Sequence, residues 1–342
     1  MADLLHILET AVNAVVPLVL LILLGYFLKE SGFLSRDFVK MGNKLGFKVF
    51  LPCMLFINVY NIESFDQIRW DIVIYCAAML IILFLIGLAT INLTTRVPER
   101  RGVILQNVFR SNFAIIGMSL ASSLGGDEAV AICAIVSAFT IPVLNTLAVL
   151  SLTIFVSGDG KKFDIRNTLV NVAKNPLIHG ILLALICLVI RSLQVKAFGS
   201  VRFSLSRDLK FVYTALNNLK SIASPFALVI LGGQFDFSAA KNLLREIVVG
   251  VLWRVVLAPI IAIGAAVLLS TYTGLLHCGV NEYPALIALF GSPTAVSSAI
   301  MAGQMGNDEQ LATQLVVWTS ICSILTMFLT VCILMATGML AV

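Results

Sequence analysis

FRSNFAIIGMSLASSLGGDE, residues 109–128, returns as FGSPTAVSSAIMAGQMGNDE at residues 290–309; the step is 181 positions at both ends, with no gap. Extended back to Leu105 and Leu286, the two copies share eight of 24 positions: Leu105/Leu286, Phe109/Phe290, Ser111/Ser292, Ala114/Ala295, Ala121/Ala302, Gly125/Gly306, Asp127/Asp308 and Glu128/Glu309. Unrelated apolar segments would share roughly two, so the pattern reads as an internal duplication. Each copy also interrupts a bilayer-length apolar segment with polar or helix-breaking residues, Arg110-Ser111-Asn112 in the first and Gly291-Ser292-Pro293-Thr294 in the second. Matched interruptions in two halves of a membrane protein point to a transport site.

Composition sets the class around that stretch. With 342 residues, 59% hydrophobic and 12% charged, and a mean hydropathy of +1.01, the chain is excluded from ordinary soluble domains and reads as an all-α polytopic membrane protein. The net charge of +5 comes from basic residues gathered at the ends of apolar runs, where they orient helices rather than bind nucleic acid. The seven cysteines include no CxxC, so they read as buried thiols and not as a disulfide framework or zinc site. MADLLHILET lacks the basic start of a signal peptide, so the first apolar run is expected to remain as a helix.

Hydropathy predicts ten spans, at 11–28, 38–60, 71–92, 102–125, 129–156, 175–190, 211–234, 246–273, 283–305 and 310–341. A polar linker, 158–174, divides them into five (1–157) and five (175–342). Because five is odd, the second set enters from the opposite side, giving an inverted repeat. Lys48, Pro52 and Asp66 in the first half find looser counterparts in Lys220, Pro225 and Asp236. Counting Lys and Arg in alternate loops places fourteen inside and six outside when both termini are outside. Five of those six crowd into 191–210, which is expected to lie as an amphipathic segment at the interface.

No Asp or Glu falls in the interior of a predicted span, whereas Lys48, Arg110, Lys220 and Arg254 do. Charge at a helix centre costs roughly 2.5–3.5 kcal/mol and usually marks a pathway. Arg110 and Arg254 each lie nine residues beyond an arginine at the inner helix end, Arg101 and Arg245, which is about 13 Å along the helix and near mid-bilayer. Either could bind an anion, or pair with backbone carbonyls freed by a break. Lys48 and Lys220 can instead snorkel to the interface. Pro293 is expected to open a half-helix whose N–H groups, from about Thr294 to Val296, attract an anion. Asn112 holds the matching position in the first copy, where it can cap a helix or bind a ligand. His179 is the sole titratable group near neutral pH in the spans, and it has an ordinary structural reading. Gly42-Asn43-Lys44-Leu45-Gly46 is a GxxxG that permits close helix contact. No enzyme signature accompanies these features, and they call for no cofactor and no metal.

In Leu51-Pro52, Asn175-Pro176, Pro225-Phe226-Ala227-Leu228 running to Gly232-Gly233, and the two interrupted stretches, the chain resembles the auxin efflux carrier family, specifically its bacterial malate- or malonate-type permeases. The resemblance implies ten transmembrane helices in two inverted five-helix repeats. It implies a scaffold of spans 1, 2, 6 and 7, and a transport domain of spans 3–5 and 8–10 in which broken helices 4 and 9 cross. It also implies elevator-like movement of an organic anion. Plant members usually carry proline at both crossings, and here Asn112 stands at the first. The expected substrate-binding residues are Arg110, Ser111, Asn112, Ser292, Pro293, Thr294 and Arg254. The expected setting is the plasma membrane, with a small carboxylate and the lipid bilayer as partners and a homodimer left open. A sodium-coupled symporter on the same scaffold, or a non-transporting receptor or channel, is the alternative. With no carboxylate in the interior of the spans, transport is expected to follow exchange or membrane potential.

Overall fold

The computed structural model describes residues 16, 17, 19–61, 69–113, 118–156, 174 and 176–340. Thirteen helical elements follow in order among them. The first, α1, covers 19–30, and α2 runs through Arg36–Leu45, Gly46–Phe50 and Leu51–Tyr60. Then come α3 (Trp70–Thr94), α4 (Pro98–Phe109), α5 (Met118–Ile154), α6 (Pro176–Phe198), α7 (Leu205–Asp208), α8 (Lys210–Gln234), α9 (Phe237–Asn242) and α10 (Leu244–Tyr272). The chain continues with α11 (Tyr283–Leu286 with Ile287–Gly291), α12 (Ser297–Gln304) and α13 (Glu309–Ala336). The linker 158–174, apart from Lys174, and both chain ends lie outside the described residues.

Local chemistry sets several boundaries. Ser35 starts α2 by accepting from the Phe38 N–H, and Asp308 starts α13 by accepting from Leu311, each side chain satisfying one of the orphan donors of a first turn. Proline opens α4 and α6, where its missing N–H costs nothing. Inside α5 the helix is broken at Gly125 and Gly126, the latter at φ 58° and ψ −149°, a conformation essentially reserved for glycine. The middle of α2 and of α10 loosens into a π-helical turn, at Gly46–Phe50 and Trp253–Leu257.

Among the described residues, five helices are long and apolar enough to cross a membrane: α3, α6, α8, α10 and α13. Glu128–Ser137 and Phe139–Ile154 in α5, bent by 41°, form a sixth if taken as one span. The spans expected at 102–125 and 283–305 are each broken in the middle. The span expected at 175–190 is longer than hydropathy indicated, since α6 continues to Phe198. The segment 191–210 is correspondingly no single interfacial helix: residues 191–198 are the last turns of α6, and only Leu205–Asp208 forms a separate short turn.

Helices meet through small residues, as expected where lipid replaces water and close packing is what drives association. Gly25 of α1 lies on the Val229 backbone of α8, and Gly232 of α8 on the Ile22 backbone of α1, so neither position has room for a Cβ. In the GxxxG of α2, Gly42 faces Ile230 of α8 and Gly46 faces Ile300 of α12. The main buried cluster runs through α3, α4, α5, α10, α11, α12 and α13 and continues onto α2, α6 and α8 through Leu51, Leu55, Leu177, Ala227 and Leu231, and it encloses both interrupted stretches. The seven cysteines are free thiols.

Candidate functional site

The two interruptions touch. Arg110, extended at φ −82° and ψ 99°, ends α4, and Ser292, extended at φ −63° and ψ 149°, ends α11. Between them Ser111 and Thr294 form an isolated antiparallel bridge, with Asn112 N–H donating to Pro293 O at 2.7 Å and Ala295 N–H to Arg110 O at 3.3 Å. Asn112 and Pro293, the positions the repeat equates, face each other here. The bond between them runs one way, because proline has no N–H to return.

Ending two helices inside the protein strands their last carbonyls, and such groups need partners. Arg254, 0% exposed in the π-turn of α10, supplies them. Its guanidinium donates to Phe290 O at 2.5 Å, Ser292 O at 3.0 Å, Val108 O at 3.2 Å and Leu289 O at 3.3 Å. Behind the bridge, Thr294 Oγ1 donates to Asn107 Oδ1 at 2.5 Å, the Asn107 amide donates to Gly250 O at 2.7 Å, and Thr294 N–H donates to Thr319 Oγ1 at 3.1 Å. Ser292 Oγ turns back to Ala288 O at 2.6 Å.

In front of the bridge lies a cavity of about 70 Å³. Arg110, Ser111, Asn112, Asn145 and Ser297 form its polar side, and Leu51, Met54, Asn58, Ala223 and Ser224 of α2 and α8 its opposite wall. Arg110 is 4% exposed; it donates to Asn145 Oδ1 at 2.8 Å and Ser297 Oγ at 2.9 Å and abuts Met301 Sδ. Among the described residues it forms no ion pair. Ser111 Oγ and Asn112 Nδ2 are buried with no partner among the described residues.

The seven expected residues are therefore divided. Arg110, Ser111 and Asn112 line the cavity, whereas Ser292, Pro293, Thr294 and Arg254 form the support behind it. The half-helix expected to begin at Pro293 begins at Ser297 instead, and the N–H groups of Thr294 and Ala295 are occupied by Thr319 and Arg110. The crossing strand takes up the donors that a helix start would have left free. Asn145, Ser297, Asn58 and Ser224 were missed. Their signal was a polar residue inside an apolar run, outside the duplicated core of the repeat or, for Ser297, paired with no polar partner there. His179 is exposed on α6 and Lys48 on α2, and neither lines the cavity.

The family model described as "Membrane transport protein" matches residues 10–169 and 162–331. An uncharacterized transporter of Methanocaldococcus jannaschii is 24% identical over 327 residues, covering 93% of this chain and 96% of that one. Apolar helices that can cross a membrane, two broken helices meeting at a buried polar cavity and a match over nearly the whole length agree: the chain is a multi-pass membrane protein belonging to the membrane transport protein family, the family of the auxin efflux carriers.

Proposed function

We propose that the protein is a secondary carrier that moves a small organic anion across the plasma membrane by elevator-like alternating access. The observation that carries this reading is the chemistry of the cavity. A guanidinium, a hydroxyl and an amide N–H₂ converge on one small space, and among the described residues the first has no counter-ion and the last two no partner. Unpaired buried polar groups are costly, and a set dominated by donors around a positive charge is satisfied by a carboxylate. Arg110 takes the carboxylate, while Ser111 and Asn112 donate to it. The modest volume favours a compact acid. Ser292, Pro293, Thr294 and Arg254 hold the crossing in shape.

The cavity lies between the crossing and the pair α2 and α8, where a body carrying the crossing would slide against a fixed one. In this reading the chain forms two inverted five-helix repeats, 1–157 and 175–342, and the asymmetry of Lys and Arg supports a cytoplasmic linker at 158–174 with both termini outside. The test is counterflow in proteoliposomes with malate, malonate and monocarboxylates. Saturable uptake that is accelerated by internal substrate is the expected result. Flux without saturation or counterflow would make the protein a channel, and ligand binding without flux would make it a receptor. The sodium-coupled alternative is favoured by a separate group of oxygens, described next.

A further inference from the structure

At the end of the bundle away from Asn58, a second cavity of about 590 Å³ is lined by Lys29, Arg36 and Lys40 at its rim and by Gln234, Asp236, Glu309 and Thr313. Glu309 is the first residue of α13, and hydropathy placed it outside the spans; its carboxylate is turned inward. Oε1 accepts from Asn43 Nδ2 of α2 at 2.6 Å and from Gln234 Nε2 of α8 at 2.8 Å. Three helices thus meet on one carboxylate.

Eight buried side-chain atoms lack a partner among the described residues, and three gather here: Asn43 Oδ1, Gln234 Oε1 and Thr313 Oγ1. Asn43 is 2% exposed and Thr313 1%, and Thr313 stands one turn beyond Glu309 on the same helix face. The contrast with the anion cavity lies in the atom types. Each place has one unpartnered hydroxyl; there it stands beside an amide nitrogen and a positive charge, here beside two amide oxygens and a negative charge. The nearby cations do not serve them: Lys29 Nζ donates to Phe235 O at 2.9 Å and lies 3.5 Å from Glu30, and Arg36 and Lys40 are exposed at the rim. Asp308, beside Glu309, is held by Arg100 at 3.0 Å.

We infer that Glu309, Asn43, Gln234 and Thr313 form a binding site for a small monovalent cation, sodium. Hard cations take carboxylate, amide carbonyl and hydroxyl oxygens. Half a turn of each terminal amide torsion exchanges nitrogen for oxygen, so an ion beside the Glu309 carboxylate draws Asn43 Oδ1 and Gln234 Oε1 to itself while Thr313 Oγ1 completes the set. One carboxylate balances one positive charge, whereas calcium sites gather several. The two amides reach one carboxylate oxygen, at 2.6 and 2.8 Å, so the oxygens that would surround an ion are drawn close together, which suits sodium better than the larger potassium. Because its ligands come from α2, α8 and α13, an ion here also ties α13 to the two helices that wall the anion cavity.

The test is thermal unfolding of the purified full-length protein titrated with sodium, lithium, potassium or choline chloride at constant ionic strength, with no carboxylate present. Sodium should raise the midpoint saturably, lithium less, and potassium and choline not at all. Thr313→Val removes an oxygen that has no protein partner, so the fold should tolerate it, while the half-saturating sodium concentration rises about tenfold. Glu309→Gln keeps the amide contacts and should abolish the sodium response. An equal response to all four salts, or a parental sodium response in both variants, would overturn the site. Either failure leaves the anion cavity untouched, because that is read separately from the carboxylate-induced shift and its loss in Arg110→Gln.

Discussion

Arg110 and Arg254 are both withdrawn from solvent, at 4% and 0% exposure, but their donors go to different places. Arg110 faces side chains at a cavity, and Arg254 faces four backbone carbonyls. Their loss should therefore read out differently. Arg110→Gln should weaken binding of an anionic substrate by about 1.5–3 kcal/mol, the scale of a hydrogen bond to a charged group, with little change in abundance; titrating the ligand-induced shift in melting temperature measures it. A variant that is inserted normally and transports at the parental rate would make Arg110 structural. Arg254→Met should act on stability instead, since each buried carbonyl left unpaired costs about 1–3 kcal/mol. A lower melting temperature and yield are expected, and a fully stable variant with weakened anion affinity would move Arg254 back into the binding set.

Among the elements, α12 is the short helix behind Ser297, and it approaches α2 where Gly46 has no side chain. A Cβ at 46 would come within 3.3 Å of Ile300 Cδ1. Gly46→Leu should part α12 from α2 and lower transport without preventing insertion, and Ile300→Ala in the same chain should restore part of the loss. Rescue is the signature of two side chains sharing one space; no rescue would place the effect of Gly46 elsewhere, in the π-turn it begins. The bridge between the crossing strands gives a second element-scale prediction. Asn112 N–H makes the 2.7 Å bond to Pro293 O, and Asn112→Pro would remove that donor along with the amide that faces the cavity. Transport should fall further in this variant than in Asn112→Ala, which keeps the backbone bond. Equal activity of the two would show that the bridge does not set the shape of the cavity.

For the whole molecule, the asymmetry of Lys and Arg predicts that a cysteine placed at Met1 or Val342 reacts with an impermeant thiol reagent from outside, and one at Gly160 does not. Labelling at Gly160 in intact cells would overturn the inverted repeat. Moving net negative charge outward from a negative interior is favourable by about 2.3 kcal/mol per charge per 100 mV. In sodium-free proteoliposomes without a pH gradient, an imposed potential should therefore alter anion flux; flux that ignores the potential and stops in His179→Ala would show protons to be the driving ion. The sequence by itself determined that this chain lives in a membrane, because apolar composition is a property of residues and needs no partners. It determined where the helices break, because Pro293, Gly291 and the polar run at Arg110 act on their own backbone. It also determined that the two breaks correspond, through the 181-residue step. What only the tertiary structure decided is which polar groups face one another. Arg110 and Arg254 are indistinguishable by spacing, and they part because one points toward α5 and α12 while the other reaches the stranded carbonyls of α4 and α11. Glu309 stands at a helix start in the sequence, and it becomes the meeting point of three helices only because α2 and α8 are folded against it, 266 and 75 residues away.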